Sequence, residues 1–204
     1  MDGLSASIDT YNPHGYSIQV FDDPGKLDDE IRKKASADKS SLSRVIATYD
    51  WEYSSNNKPE DRLMKYWEVA IGNWHKPWNR ELESELSRKD KSNLKKLAWA
   101  EQPQTIDEVG STFTIQGFDL NYAGVILGPS VKYRDGRVIY DPSESHNKKA
   151  VRNRTLSDGS KKSFGEKLIQ HEVRVLMTRG VNGMYIYACD DELRRALLQA
   201  SEGA

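Results

Sequence analysis

A single cysteine, Cys189, excludes an internal disulfide and fits a reducing, cytoplasmic setting. The four histidines, His14, His75, His146 and His171, are scattered, so no zinc-ligand spacing is present. No run approaches the ~18 consecutive apolar residues of a membrane span. The first residues, "MDGLSASIDTYNPHG", lack the basic and apolar regions of a signal peptide. The glycine-rich loop that cradles phosphates is also missing. The only Gly-Lys pair, Gly25-Lys26 in "DDPGKLDD", has no upstream glycine and no following Ser or Thr, and acids surround it. There is no Gly-x-Ser-x-Gly elbow and no Cys/His nucleophile pair. These absences leave no self-sufficient active site.

What is present suits a single soluble domain, taken as residues 16–204 after an N-terminal extension at 1–15. The 204 residues are 37% hydrophobic and 30% charged, enough for a core. Net charge is −1, unevenly spread. Residues 1–130 carry 16 basic and 21 acidic side chains, residues 131–179 carry 12 and 6, and residues 180–204 carry 2 and 4. The middle block suits phosphates or a solvated loop.

Hydrophobic period and punctuation order the chain. "YSIQVF" (16–21) predicts a strand, and "DDPGKLDDEIRKKASA" (22–37) a helix capped by Asp22 or Asp23. "SRVIATYDW" (43–51) predicts a central strand. Residues 56–65 read as loop, 66–79 as extended with Pro77 blocking helix, and 80–100 as weakly helical. Two strands are expected at 109–115 and 122–128, separated by Gln116-Gly117. "VKYRDGRVIYDP" (131–142) predicts a hairpin turning at Asp135-Gly136. Residues 143–162 predict a mobile basic insertion. Phe164, Leu168, Ile169, Val173, Leu176 and Met177 then share one helical face, and Gly180 falls where a helix C′ glycine belongs. "MYIYA" (184–188) predicts a short strand and 190–201 a closing helix capped by Asp190 or Asp191. The alternation implies an α/β fold with a mainly parallel sheet flanked by helices. Ligands of such sheets sit beyond the carboxyl ends of the strands, so the Gln116-Gly117 break and the Arg179 turn are expected there.

Two stretches resemble a known family. "GSTFTIQGFDLNYAGVILGP" (110–129) resembles motif V of superfamily 1 helicases, in the form of the Schlafen group 3-like DNA/RNA helicase domain. "HEVRVLMTRGVNGMYIYACD" (171–190) resembles its motif VI, with "SRVIATYDWEY" (43–53) and "HKPWN" (75–79) as weaker matches. The resemblance implies a RecA-like fold of the P-loop NTPase type. It also implies the second of two such domains, without the phosphate loop and inactive alone. ATP with Mg²⁺ would bind only when an N-terminal RecA-like domain completes the site. DNA or RNA is the implied partner, and a membrane is not.

Residue by residue, the resemblance places Arg179 at the γ-phosphate as an arginine finger, between Thr178 and Gly180 of the motif VI core. Gly117 matches the motif V glycine, Gln116 a polar or basic motif V position, and Asp119 an acid that accepts a ribose hydroxyl bond. Asp119 is one methylene shorter than the glutamate common in the wider superfamily, and Phe113 replaces an expected His or Tyr. Thr114 and the basic residues Lys148, Lys149, Arg152 and Arg154, with Lys161 and Lys162 beyond, are candidates for nucleic-acid contact. Each has a plainer reading. Arg179 could bond the last helical carbonyls, Gly117 could be a turn glycine, and Asp119 could be an ordinary loop carboxylate. The basic residues could be a solvated loop. The tryptophans Trp51, Trp67, Trp74, Trp78 and Trp99 could stack on bases, but burial in a chain with four Phe is favoured. A non-catalytic RecA-like module binding nucleic acid or protein is the alternative to the ATPase reading.

Overall fold

The structure, a computed structural model, describes residues 15–37, 42–61 and 64–202. The N-terminal extension up to residue 14 lies outside the described residues. Strand β1 (Ser17–Val20) leads into helix α1 (Pro24–Ala37). The Asp23 carboxylate accepts the Lys26 amide at 2.9 Å, and Pro24 occupies a first-turn position that needs no amide donor. Strand β2 (Ser43–Ala47) is buried throughout, as a strand covered on both faces must be. The 66–79 stretch forms a hairpin of β3 (Glu68–Ile71) and β4 (Trp74–Pro77). The charged segment after it holds 3₁₀ turns and helix α2 (Arg88–Leu94), capped by Ser87.

Next come β5 (Val109–Gly110), β6 (Leu120–Leu127) and the expected hairpin of β7 (Val131–Arg134) and β8 (Arg137–Tyr140). The basic segment contains a short helix, α3 (Lys148–Val151), and a small hairpin of β9 (Arg154–Thr155) and β10 (Lys161–Lys162). Helix α4 (Gly165–Met177), β11 (Gly180–Ala188) and α5 (Asp191–Glu202) complete the chain. Asp190 caps α5 by accepting the Leu193 amide at 3.0 Å.

Five strands form one parallel sheet in the order β1-β11-β6-β2-β5. Alternation along the strands divides the core into two layers. Ile46, Ala123, Val125, Leu127, Met184, Ile186 and Ala188 face one way, against Ile169, Val173 and Leu176 of α4 and Leu193 of α5. Val45, Ala47, Ile126, Tyr185 and Tyr187 face the other way, against Leu27 and Ile31 of α1 and the β3–β4 hairpin. A buried ion pair ties that hairpin down: Lys76 Nζ lies 2.8 Å from Asp28 Oδ1 and donates to the Ile106 carbonyl at 2.7 Å.

Three expectations are corrected. The strand at 109–115 ends at Gly110, because the Thr114 hydroxyl accepts the Ser111 amide and donates to the Ser111 carbonyl, folding 111–118 into turns. Gly180 is not a helix C′ glycine. It opens β11, and a side chain there would collide with the Gly183 carbonyl oxygen, where the register shifts between Gly180 and Gly183. The Gln116-Gly117 break and the Arg179 turn lie at the amino ends of β6 and β11, since each belongs to the connection entering its strand.

A buried carboxylate joins α4 to the sheet. Glu172 Oε1 accepts the Tyr49 amide at 3.0 Å and the Thr112 hydroxyl at 3.4 Å. Burial, with Asp50 nearby, pushes the Glu172 carboxyl from 4.5 up to about 7. The folded chain therefore holds this proton more tightly than the unfolded chain. Stability supplied by neutral Glu172 is complete below pH 4.5, falls as pH rises through the window, and levels off above about 7. The loss amounts to about 3 kcal/mol at most. Urea unfolding of the wild type should show this fall relative to Glu172→Gln. Parallel stability profiles for the two proteins would refute it.

Candidate functional site

The residues expected at the nucleotide gather at the amino edge of the sheet. β6 and β11 are neighbours, and their first residues, Leu120 and Gly180, pair in register. The Leu120 amide donates to the Arg179 carbonyl at 2.8 Å. That bond sets the residue before each strand, Asp119 and Arg179, side by side. Arg179 Nη1 lies 3.1 Å from Asp119 Oδ1. The arginine side chain is 22% exposed and the aspartate 62%, so the pair sits at an open surface and not in the core.

The guanidinium has further partners. Arg179 Nε donates to the Val175 carbonyl at 3.0 Å, the bond expected of an arginine in a last helical turn. Its two terminal nitrogens donate to the Phe118 carbonyl and the Thr178 hydroxyl, both at 3.4 Å. Those two bonds are long, and the Asp119 bridge is solvated on one side. Such contacts hold a side chain in place without committing much free energy. The arginine is thus positioned but not sealed.

Thr178 caps α4, its hydroxyl donating to the Arg174 and Val175 carbonyls at 3.0 and 3.1 Å. Gly180 accepts the Tyr16 hydroxyl on its carbonyl at 3.2 Å, fastening β1 to this edge. Gln116 and Gly117 are exposed, and Gly117 has φ +74°, a left-handed conformation that favours glycine. Nothing in the chain lies within 4 Å of where a Gly117 side chain would begin. The turn alone accounts for this glycine, and its backbone faces open space.

The residues expected at nucleic acid lie elsewhere. Thr114 is engaged in its own turn with Ser111. Lys148, Lys149, Arg152 and Arg154 are exposed on α3 and the strand after it. Lys148 and Lys149 line a pocket of about 270 Å³ with Tyr49, Tyr53, Phe113 and His146. Tyr49 follows β2 and Phe113 follows β5, so this pocket lies beyond the carboxyl ends of those strands. The chain therefore has two separate candidate sites at opposite edges of one sheet. The tryptophans belong mainly to the core. Trp67, Trp78 and Trp99 are at most 8% exposed, and Trp51 and Trp74 are partly buried against the α1 layer.

Three polar side chains that the sequence pattern did not single out, Arg44, Asp50 and Glu172, are buried. Asp50 Oδ2 accepts the Thr48 hydroxyl and the Ser130 amide, each at 2.9 Å, and burial raises its carboxyl. Asp50 and Glu172 sit in runs whose apolar neighbours fixed the assignment of strand and helix. Arg44, inside the apolar "SRVIA" run, is 6% exposed and bonded to Thr105 Oγ1 at 2.8 Å and to the Ser43 and Gln102 carbonyls. Burial lowers its guanidinium to about 10. Only the charge of these side chains, in otherwise apolar runs, signalled that partners would be needed.

A curated protein is similar to this chain over nearly all of the chain's length. This chain is 34% identical over 188 residues to the uncharacterized protein YPL245W of Saccharomyces cerevisiae, an alignment covering 92% of this chain and 37% of that protein. The chain thus spans little more than a third of that relative. No solved structure matches it. Residues 3–190 match the Schlafen group 3, DNA/RNA helicase domain, and the chain, with its parallel α/β sheet, belongs to that family.

Proposed function

We propose that the chain is the second RecA-like domain of a superfamily 1 helicase-like ATPase acting on nucleic acid. Its amino edge would complete a composite ATP site. The observation that carries this reading is the Arg179–Asp119 pair, held at an open edge by the joined amino ends of β6 and β11. The family match supports the helicase-like part. The site for ATP and Mg²⁺ would be shared with an N-terminal RecA-like domain, because this sequence has no phosphate loop of its own.

The residues present fit a triphosphate in charge and access. A guanidinium at an edge offers a planar fork to phosphate oxygens. Its present partners include an exposed carboxylate that a ribose hydroxyl could also engage. The bound nucleotide would supply the phosphoryl group. Arg179 would hold positive charge against its oxygens from the short connection between α4 and β11. Asp119 would accept a hydroxyl hydrogen bond once separated from Arg179. Gln116, the exposed backbone at Gly117, and the Thr178 and Gly180 backbone would border the same ligand. The basic residues Lys148, Lys149, Arg152 and Arg154 would meet a nucleic-acid backbone.

The chain alone should not turn over ATP, and robust hydrolysis by it would contradict the reading. In a protein that contains both RecA-like domains, Arg179→Ala should lower kcat by ~10³-fold or more. Its unfolding midpoint should stay near that of the parent, since the side chain lies at the surface. Asp119→Ala should instead raise the KM for ATP by about tenfold, the scale of one hydrogen bond to a charged group. Steady-state kinetics on the two variants separate the roles. Unchanged turnover in Arg179→Ala would remove that residue from the chemistry.

A further inference from the structure

The segment between α3 and α4 carries a pattern that the ATPase reading leaves unused. It runs Arg152-Asn153-Arg154-Thr155-Leu156-Ser157. Ser157 is the one hydroxyl residue in the chain with arginine both three and five positions before it. Residues 152–163 are all exposed. Ser157 sits at the tip of the β9–β10 hairpin, in a turn closed by the Gly159 amide on the Leu156 carbonyl at 3.0 Å. Gly159 has φ +80°, which lets the chain reverse there. The nearby Ser160 hydroxyl is engaged, donating to Asp158 Oδ1 at 2.6 Å. The Ser157 hydroxyl makes no such bond among the described residues.

The hairpin also gathers charge that it does not balance. Arg154 and Lys162 are directly opposite in register, and like charges so placed destabilise a pair of strands. No acid pairs with either among the described residues. Each strand has two residues, and the two form a sheet of their own. So short a unit is marginal in water and opens at little cost. An enzyme that needs this segment extended in its groove can take it without disturbing the central sheet. Other hydroxyls lack the combination. Ser36 has Lys33 three positions before it, but its hydroxyl donates to the Lys33 carbonyl at 2.9 Å inside α1. Thr155 has Arg152 three positions before it and Ala150 at five, and it is held in β9 opposite Lys161.

We propose that Ser157 is a phosphorylation site for a Ser/Thr protein kinase with an acidic substrate groove, and that its phosphate lowers the charge of the basic segment. The two arginines dock as planar forks on carboxylates of that groove, and their spacing selects Ser157. The γ-phosphoryl group of ATP passes to Ser157 Oγ. The Oγ–P bond forms, the bond from the γ-phosphorus to its bridging oxygen breaks, the hydroxyl proton goes to the kinase's base, and ADP leaves. Residues 148–162 hold six cations and one acid, so the phosphate takes their net charge from +5 to about +3. It also supplies an anion within a few residues of Arg154 and Lys162. The segment then holds any polyanion less strongly. The modification is independent of the proposed function; a weaker hold on nucleic acid follows only where that reading holds.

The test incubates the whole 204-residue chain with ATP and a purified kinase that requires arginine three and five positions before its serine, and locates phosphate by peptide mass spectrometry. Phosphate should appear on Ser157 and not on Ser36, and Ser157→Ala should remove it. Arg154→Ala should lower the kinase's kcat/KM for the chain about tenfold to a hundredfold, the scale of one charge-assisted bond. Arg154→Lys should recover only part of the loss, since the charge returns without the fork. Urea unfolding of these variants should match the parent, because both positions are exposed. Heparin, a sulfated polymer, reads the charge. The phosphorylated chain should elute from it at lower salt than the untreated chain, and kinase-treated Ser157→Ala should elute with the untreated chain.

An unmodified Ser157, or phosphate only at other residues, overturns the site. A rate unchanged in Arg154→Ala overturns its selection by arginine. Heparin elution unchanged by phosphate on Ser157 overturns the charge effect. None of these readouts involves Arg179 or ATP turnover by this chain, so failure of the site and failure of the ATPase reading are told apart.

Discussion

The pairing of the amino ends of β6 and β11 is the constraint on which the site depends. One hydrogen bond, from the Leu120 amide to the Arg179 carbonyl, aligns two connections that are distant in sequence. Asp119 and Arg179 become neighbours because each is the last residue before its strand. The pairing is tight enough at Gly180 that a side chain would strike the Gly183 carbonyl. The glycine beside the arginine is therefore needed for close approach of the strands, whatever the arginine does. A parallel sheet makes such an edge rigid, since both strands are buried further along and cannot slip without exchanging the side chains packed in the two core layers.

The same sheet separates the two proposed sites. Helix α4 covers the face between the edges and touches both. Glu172 within it holds the backbone beyond β2, and the residues that follow it lead to Arg179. The Tyr49 and Thr112 bonds to Glu172 tie α4 to the pocket end of the sheet. The burial of Glu172 makes this link sensitive to proton concentration near neutrality. Burial pushes the Cys189 thiol up to about 12, which disfavours its thiolate form.

Much of this fold was legible in the sequence, for identifiable reasons. The 3.6-residue period of Ile169, Val173 and Leu176, the capped starts at Asp23 and Asp190, and the Asp135-Gly136 turn are local signals, and the structure agrees with each. The strand expected at 109–115 failed for a local reason too. Thr-Phe-Thr-Ile has strand-forming side chains, but the Thr114 hydroxyl satisfies the Ser111 backbone and turns the chain. The placement of the site at the carboxyl edge failed because the rule for ligands of α/β sheets concerns connections that leave strands, and these residues enter them. The pocket was illegible because Tyr49, Phe113, His146 and Lys148 come from three separate connections. Arg179 was legible as a residue, but its neighbour Asp119 was not legible as its partner.

The central claim is that the amino edge of this sheet faces a triphosphate held by another domain. A structure of a two-domain protein containing this chain, bound to a non-hydrolysable ATP analogue, measures that directly. The account predicts the Arg179 guanidinium within hydrogen-bonding distance of the γ-phosphate, about 3 Å, with the Asp119 bridge opened. A nucleotide seated instead against Tyr49 and Phe113 at the carboxyl edge, with Arg179 still paired to Asp119, would contradict it.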